Sequence, residues 1–367
     1  MKNILLRGYY GFGNAGDDAL LQTILKSIES FDRNITIISK NPLPLNLMKK
    51  NKNVELNNIN LVKAMFINDV VIYGGGSQLQ DFGTFKNFLT LLRSLILNWI
   101  MKLRNKKVVY LGISIGPISS LRGKYLVKKI MKSCDLVIVR DQESFDFLMN
   151  ISEDLSKYML SPDLVLSFER DRKLAYIKEE NIQKTLGINL MPHYSEIKKD
   201  EKVEKIFMNN IVALIKENPE IKIKFFQFQN KSIMNDERTY EKLKKHIAVQ
   251  NIKVKVEFIK YKNIENLVSE MRNCNFFIGM RLHSAVLCDV LKIPHIMLSY
   301  HPKGIGYAQY LGYKESMVVN CDSENQYSTK LQKLIDKPED FLVNESVIAS
   351  RTVIKSSFYK VNKLIEK

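Results

Sequence analysis

The fold is decided by the first strand-to-helix connection of the chain, Ile4-Leu5-Leu6-Arg7-Gly8-Tyr9-Tyr10-Gly11-Phe12-Gly13-Asn14-Ala15-Gly16-Asp17-Asp18. A short apolar strand runs into a glycine-rich loop, and the loop runs into a helix predicted over residues 18–30. The same order of strand, turn and helix recurs through nearly the whole chain. Alternating strands and helices predict parallel sheets joined by right-handed crossovers. The sequence therefore predicts an α/β protein.

The loop has the spacing of the dinucleotide-binding pattern G-x-G-x-x-G, with its glycines at Gly11, Gly13 and Gly16. Its context argues against that function. Asp17 and Asp18 stand at the helix start, where a bound pyrophosphate would sit, and two carboxylates would repel it. The second predicted strand ends in Ser39-Lys40 and offers no acidic side chain to a ribose. We therefore expect neither a nicotinamide nor a flavin cofactor.

The two carboxylates instead suit a sugar. The helix dipole favours the ionised form of Asp17 and Asp18, which can then accept hydrogen bonds from sugar hydroxyls or take a proton from one. The alternative is that Asp17 only caps the helix. A second glycine-rich turn, Gly74-Gly75-Gly76-Ser77-Gln78-Leu79-Gln80-Asp81, lies in the same half and is expected to line the same cleft. The candidate residues of these two loops are Gly11, Gly13, Asn14, Gly16, Gly75, Gly76 and Asp81.

Two further motifs follow apolar strands in the second half, Gly279-Met280-Arg281-Leu282-His283-Ser284 and Ser299-Tyr300-His301-Pro302-Lys303-Gly304. Ligands bind at the carboxyl ends of strands in open parallel sheets, so Arg281, His283 and Lys303 are expected to converge. An arginine fork, an imidazole and a lysine suit a small, multiply charged anion. The alternative is that the two cations are surface charges and that His283 or Ser284 caps a helix.

A chain of 367 residues exceeds the usual size of a single core, so we expect two Rossmann-like domains with parallel sheets facing a central cleft. The first domain is predicted over residues 1–170 and the second over residues 181–345. The charged segment 169–180 is predicted to be a linker, and a terminal helix over 346–367 is expected to pack across the seam.

Composition narrows the classes of partner. The chain carries 56 basic and 39 acidic residues, a net charge of +17, which favours anionic partners. It has no recognisable nucleic-acid-binding motif, so we expect no nucleic acid. The cysteines lack metal-ligand spacing and are expected to be buried thiols in a reducing compartment; they are Cys134, Cys274, Cys288 and Cys321.

Nothing near the first residue has the apolar run of a signal peptide. The most apolar stretch, residues 88–101, is interrupted by Arg93 and Asn98 and is too short to span a bilayer. It is predicted to be a buried helix, with a membrane-surface helix as the alternative. We therefore expect a cytoplasmic protein that associates transiently with an anionic membrane at its inner face.

The ordered set of motifs resembles the polysaccharide pyruvyl transferases, and most closely their CsaB type. The last motif usually reads Tyr-Asp-Pro-Lys in that family, whereas this chain has Tyr300-His301-Pro302-Lys303, so the role of His301 is left open. Besides residues 8–19 and 74–81, the matching segments are residues 112–117, 140–144, 161–163, 279–284 and 299–304.

The resemblance implies a fold similar to that of the GT-B glycosyltransferases. It also implies transfer of a pyruvyl group from phosphoenolpyruvate to a sugar, which forms a cyclic ketal and releases phosphate. For the CsaB type the acceptor is an N-acetylmannosamine unit of a lipid-linked precursor of the secondary cell wall polymer. The pyruvylated polymer then anchors S-layer proteins.

On this hypothesis His283 is the general acid, and Asp17, with Asp18 as second choice, orients or deprotonates the acceptor hydroxyl. The residues expected to bind phosphoenolpyruvate are Arg140, Arg281, Lys303 and Ser284. The first domain is expected to form the acceptor side and the second the donor side. No metal and no cofactor are expected, with phosphoenolpyruvate acting as a co-substrate. Two alternatives stay open: a GT-B-type nucleotide-sugar glycosyltransferase of cell-envelope polysaccharide synthesis, and a non-catalytic module that binds anionic glycans or membranes. The oligomeric state is also left open.

Overall fold

A computed structural model of the chain describes residues 2–29, 32–44, 47, 51–151, 154–168, 183–192, 201–231, 233–320 and 327–366. The chain divides into two compact units. The first unit comprises Met1–Phe12, Asp17–Phe168 and Ala349–Lys367, and the second comprises Gly13–Gly16 and Glu169–Ile348. The predicted linker over residues 169–180 and Cys321 lie outside the described residues.

The first unit is built on a parallel sheet with the strand order β3-β2-β1-β4-β6-β7-β8, and β5 pairs with β6 beside this path. Its strands are β1 (Lys2–Arg7), β2 (Arg33–Ser39), β3 (Lys52–Glu55), β4 (Val70–Gly74), β5 (Ser77–Gln78), β6 (Lys107–Ile115), β7 (Leu136–Val139) and β8 (Tyr158–Leu160). Its helices are α1 (Ala15–Ile28), of which residues from Asp17 onward belong to this unit, α2 (Asn58–Ile67), α3 (Phe85–Leu103), α4 (Leu121–Ser133) and α5 (Gln142–Met149).

The second unit has a parallel sheet in the order β11-β10-β9-β12-β13-β14. Its strands are β9 (Thr185–Asn189), β10 (Lys222–Phe226), β11 (Val256–Ile259), β12 (Phe276–Gly279), β13 (His295–Ser299) and β14 (Val318–Asn320). Its helices are α6 (Glu201–Glu217), α7 (Glu237–Val249), α8 (Ile264–Met271), α9 (Leu282–Leu291), α10 (Pro302–Leu311) and α11 (Tyr327–Asp336). The last helix, α12 (Asn344–Glu366), belongs to the first unit from Ala349 onward.

Both sheets begin at an inner strand and then grow outward in two directions. In the first, β1 pairs with β2 on one side and with β4 on the other. In the second, β9 lies between β10 and β12 in the same way. The inner strands β4, β9 and β12 are buried along their whole length, which is typical of parallel strands that helices cover on both faces. The predicted α/β class with two parallel sheets is confirmed.

Helix α1 begins at Ala15, three residues before the predicted start. The side chain of Asn14 accepts a hydrogen bond from the Gly16 backbone N–H at 2.9 Å and so supplies the cap. Asp17 and Asp18 therefore lie inside the first helical turn, and the alternative that Asp17 is the capping residue is wrong.

The C-terminal helix α12 is bonded to other elements of the first unit. Its Arg351 side chain donates a hydrogen bond to the Leu166 carbonyl at 2.8 Å, and its Asn362 side chain donates one to the Ser27 carbonyl at 3.0 Å.

The apolar stretch 88–101 lies in α3, which is buried along one side but exposes Trp99 on the other. None of the helices in the described residues is both long and apolar enough to cross a membrane.

Asp81 holds the loop after β5 against the start of α4. Its carboxylate accepts hydrogen bonds from the Gly83 backbone N–H at 2.8 Å and from the Ser120 hydroxyl at 2.6 Å and backbone N–H at 3.1 Å. The side chain is buried, with 2% of its surface exposed. The bond from the Ser120 hydroxyl is the main cause that lowers the pKa of Asp81 below its ordinary 3.8.

We expect Asp81→Asn to lower the free energy of unfolding by about 1–3 kcal/mol at pH 7, since it replaces a hydrogen-bonded carboxylate. A carboxylate with a lowered pKa stabilises the fold fully above its unfolded pKa and loses that contribution as pH falls through the folded value. The difference from wild type should therefore shrink as the pH of a urea titration falls below 3.8. The exposed Asp32→Asn is the control, and an equal loss in both variants would contradict the prediction.

Candidate functional site

A cavity of about 380 Å³ opens at the carboxyl ends of β1 and β4 in the first unit. These strands are neighbours where the strand order reverses, which is where open α/β sheets bind their ligands. The cavity is lined by Arg7, Gly8, Tyr9, Phe12, Asp17, Leu56, Gly76, Ser77 and Gln78. The structure thus brings residues of both glycine-rich turns to one cavity.

The buried side chain of Tyr10 fixes the first loop to the end of β4. Its hydroxyl donates a hydrogen bond to the Gly74 carbonyl at 2.9 Å, and its own carbonyl accepts one from the Lys40 N–H at 3.0 Å. On either side of this anchor, the rings of Tyr9 and Phe12 stack with centroids 3.8 Å apart and planes 8° from parallel. This aromatic pair was not predicted from the sequence, where the spacing of three residues within the loop is its only signal.

The carboxylate of Asp17 lies over the second glycine turn. A Cβ atom at Gly76 would be 3.6 Å from Asp17 Oδ1, and the positive φ of Gly76, 76°, is a conformation that favours glycine. Partial burial, and then the negative charge of Asp17, raise the pKa of Tyr9 above its ordinary 10. The Tyr9 phenol therefore keeps its proton at neutral pH and can act as a hydrogen-bond donor. Asp18 is half-buried and is not among the residues that line the cavity.

The lining has the chemistry of a sugar subsite. Stacked aromatic rings offer an apolar platform, while a carboxylate, a guanidinium and an amide offer hydrogen bonds of both kinds to hydroxyl groups. These groups are Asp17, Arg7 and Gln78. A concave site with an apolar wall and a few converging polar groups is the usual form of a small-molecule site.

In the second unit, Arg281 is held by a buried carboxylate that the sequence analysis missed. Its Nε atom donates to Asp236 Oδ1 at 2.9 Å and Oδ2 at 3.0 Å, and its Nη2 donates to the Met234 carbonyl at 2.6 Å. Asp236 is fully buried and also accepts hydrogen bonds from the backbone N–H groups of Phe228 and Gln229. The two partners are 45 positions apart in the sequence, and no sequence pattern links them.

Burial raises the pKa of Asp236, while Arg281 and the backbone donors act against that increase. The pair lies at the strand-order reversal, because Asn189 at the end of β9 accepts from the Arg281 N–H at 3.2 Å and donates to Asp236 at 3.1 Å. Removing Arg281 would leave a buried carboxylate without its ion partner, which typically costs about 3–5 kcal/mol. Loss of activity in an Arg281 variant thus has to be separated from loss of stability.

His283 lies in the first turn of α9, and its imidazole packs directly on Gly16. A Cβ atom at position 16 would overlap the imidazole ring, so glycine is needed here for close approach. The segment Gly13–Gly16 is held within the second unit by backbone bonds, from Ala15 N–H to the Phe228 carbonyl at 2.8 Å and from Asn230 N–H to the Gly13 carbonyl at 3.0 Å.

The motif over residues 299–304 contains the start of α10. The Nδ1 atom of His301 accepts a hydrogen bond from the Lys303 backbone N–H at 3.2 Å, so His301 caps the helix. An aspartate is a common helix cap, and the imidazole performs that task in this chain. Because β12 and β13 are paired neighbours, Arg281, His283 and Lys303 all follow the same edge of one sheet. Ser284 is buried, and its hydroxyl donates to the Arg281 carbonyl at 2.6 Å.

Arg140 lies in the first unit and has a buried partner of its own. Its Nη1 donates to Asp163 Oδ2 at 2.8 Å and its Nε donates to the Ser114 hydroxyl at 3.0 Å. Both members of the ion pair are almost fully buried. Neither Arg140 nor Asp81 is among the residues that line the cavity of this unit. The role of Arg140 in donor binding therefore stays a prediction.

The remaining loop candidates have structural contacts. Gly11 accepts a hydrogen bond through its carbonyl from the Asn41 side chain, and Gly75 donates through its N–H to the Leu111 carbonyl at 2.8 Å. Asn14 caps α1. Among the described residues, no group of three His, Cys, Asp or Glu side chains is placed to hold a metal ion.

The chain is similar to a known protein family and to solved structures. A family model described as polysaccharide pyruvyl transferase matches residues 14–302. No curated protein sequence matches the chain. Solved structures match over the whole length at low sequence identity, which shows the fold alone.

Three of these structures illustrate the likeness. HepE (Alr3699) from Anabaena in complex with UDP-glucose has a TM-score of 0.63 at 12% identity, over 100% of this chain and 98% of its own. A UDP-GlcNAc 2-epimerase from Neisseria meningitidis bound to UDP-GlcNAc has 0.60 at 12% identity, over 98% and 100%. The lipopolysaccharide outer core galactosyltransferase WaaB in its apo form has 0.55 at 10% identity, over 100% of both chains. These matches support the predicted GT-B-like fold class.

We expect Gly16→Ala to displace the His283 imidazole and to lower the free energy of unfolding by about 1–3 kcal/mol, because the added methyl group has no room. The control is Gly306→Ala in α10, where a Cβ atom would meet nothing within 4 Å. That variant should be neutral or stabilising by up to about 1 kcal/mol, since alanine favours helix. Urea unfolding of both variants checks the prediction, and equal effects would contradict it.

Proposed function

The chain belongs to the polysaccharide pyruvyl transferase family, and we propose that it transfers a pyruvyl group from phosphoenolpyruvate to an N-acetylmannosamine unit of a lipid-linked cell-wall precursor. The family match over residues 14–302 is the observation that carries the proposal. Pyruvyl transfer to a polysaccharide follows from the family; the donor, the acceptor and the CsaB-type role in S-layer anchoring are what we add. We further propose that the enzyme works in the cytoplasm and needs neither a metal nor a cofactor.

The donor proposal rests on cations in the second unit. Phosphoenolpyruvate is compact and carries a carboxylate and a phosphate, so it needs several fixed positive charges and N–H donors. Arg281 and Lys303 follow neighbouring strands, and the buried Asp236 holds the Arg281 side chain in one orientation. We include Arg140 and Ser284 as further donor contacts, although both have partners within the protein.

The mechanism assigns one proton transfer to each of two residues. The His283 imidazolium protonates the methylene carbon of phosphoenolpyruvate, which leaves positive character on the neighbouring carbon. A sugar hydroxyl attacks that carbon and gives its proton to Asp17. Phosphate then leaves with the electrons of its C–O bond. A second hydroxyl attacks the same carbon to close the cyclic ketal and gives its proton to the departing phosphate. Asp18 is the second choice for the base.

The acceptor proposal rests on the first-unit cavity. A pyranose ring can lie with its apolar face on the stacked rings of Tyr9 and Phe12. Asp17 is then within the same cavity to accept a hydrogen bond from a ring hydroxyl, and Gln78 and Arg7 are available for other polar groups. The glycine turn at Gly76 permits close approach of the sugar to the backbone.

The test is incubation of the protein with phosphoenolpyruvate and an N-acetylmannosamine glycoside, followed by phosphate assay and mass spectrometry of the sugar. We expect phosphate release and a product heavier by the mass of one pyruvic acid less one water.

His283→Ala should lower turnover by about a hundredfold to ten-thousandfold while donor binding persists. Asp17→Asn should likewise lower turnover and leave the affinity for the donor unchanged. Wild-type turnover in His283→Ala would reject its role as the general acid.

The same assay separates the alternatives. Sugar transfer from a nucleotide sugar, with no reaction of phosphoenolpyruvate, would identify a glycosyltransferase instead. Glycan binding without any product would identify a binding module. An added chelator should leave turnover unchanged, and loss of activity that a divalent ion restores would overturn the proposal that no metal is needed.

We expect Tyr9→Ala to raise the acceptor KM by about tenfold or more, because the change removes the exposed ring on which the sugar is proposed to lie. The donor KM should be unchanged. Tyr9→Phe keeps the ring and removes the hydroxyl, so it should retain most acceptor affinity. Steady-state kinetics with each substrate varied in turn checks this. An unaltered acceptor KM in Tyr9→Ala would place the acceptor elsewhere.

A further inference from the structure

Helix α3 turns an apolar stripe to solvent. Trp99 and Leu103 have 67% and 76% of their surface exposed, and Phe85 has 75%. The stripe consists of Phe85, Leu89, Ile96, Trp99 and Leu103. Since a helix advances about 100° per residue, all five side chains leave the helix within about 40° of one direction. The opposite side of α3 is buried in the core, so the helix is apolar on two sides.

Neighbouring helices extend this apolar surface. Helix α4 packs against α3 and exposes Leu121 and Tyr125. Helix α2 exposes Phe66, whose ring centroid is 4.7 Å from the guanidinium carbon of Arg104, just after the end of α3. Isolated apolar side chains on a surface are ordinary, but eight exposed ones on three helices of one unit are typical of an interaction surface.

The charge of these three helices has a single sign. None of α2, α3 and α4 contains an acidic residue. Together they carry nine basic residues: Lys63, Lys86, Arg93, Lys102, Arg122, Lys124, Lys128, Lys129 and Lys132. Lys102 is paired with Asp135, which lies after α4. The ammonium group of Lys129 is 5.5 Å from the ring centroid of Tyr125, so charge and aromatic surface are interleaved.

We propose that α2, α3 and α4 form a face that docks on an anionic lipid bilayer. The apolar stripe enters the boundary between headgroups and acyl chains, and the lysines and arginines contact the lipid phosphates. Tryptophan and tyrosine beside basic residues favour this boundary, because their rings are apolar and their polar atoms still meet water. The proposal concerns where the enzyme works, and it does not depend on the identity of its donor or acceptor.

Trp99 is the only tryptophan of the chain, so selectively excited tryptophan fluorescence reports on this face alone. We expect vesicles of phosphatidylcholine with phosphatidylglycerol to shift the emission of the wild-type protein to the blue and to protect it from acrylamide. Vesicles of phosphatidylcholine alone should have a much smaller effect, and added salt should weaken binding to the anionic vesicles. No blue shift with anionic vesicles at low salt would overturn the proposal.

Variants at exposed positions test which residues carry the binding. In vesicle sedimentation, Ile96→Ser with Leu103→Ser should lower affinity by about tenfold or more, and so should Lys124→Gln with Lys129→Gln. The matched controls lie on α7 in the second unit: the exposed Val249→Ser, and Lys244→Gln with Lys245→Gln. These controls should bind within about twofold of wild type.

Folding and catalysis are followed separately. All variants should keep the wild-type midpoint of urea unfolding, since the changed side chains are exposed, and their turnover on a water-soluble acceptor should be unchanged. Equal loss of vesicle binding in the face variants and the α7 controls would overturn the assignment to this face. Lipid-free self-association that is abolished by Ile96→Ser with Leu103→Ser, without vesicle binding by the wild type, would identify a protein interface instead.

Discussion

The candidate sites of the two units depend on one constraint of parallel sheets. Where consecutive crossovers leave an inner strand in opposite directions, the loops after two neighbouring strands separate and leave a depression at the sheet edge. The strand order reverses in this way between β1 and β4 in the first unit and between β9 and β12 in the second. The stacked Tyr9 and Phe12 lie at the first position, and Arg281 lies at the second.

Buried polar contacts hold the side chains at these edges before any ligand arrives. Asp236 fixes Arg281 in the second unit, and Asp163 fixes Arg140 in the first. A buried pair contributes little net stability, because desolvation offsets the attraction, but it restricts an arginine to one orientation. The close packing of His283 on Gly16 restricts the imidazole in the same way. Such preorganisation would lower the entropic cost of binding the small, multiply charged donor that we propose.

The proposed acceptor subsite and the proposed membrane face belong to the same unit. A lipid-linked sugar remains close to the bilayer, so an enzyme that acts on it gains from a surface that keeps it there. The three helices α2, α3 and α4 combine an exposed apolar stripe with nine basic and no acidic residues. The net charge of +17 is thus partly concentrated on one part of the first unit.

The sequence by itself determined the alternation of strands and helices and the glycine turns at strand ends, because both follow from local periodicity and turn chemistry. It also placed Arg281, His283 and Lys303 at neighbouring strand ends. Only the tertiary structure decided that Asp236 holds Arg281, that Tyr9 stacks on Phe12, and that Trp99 faces solvent. Contacts between residues far apart in the sequence depend on how the helices and strands pack. The same packing decides which side of an apolar helix is covered. A short sequence pattern contains no information on either.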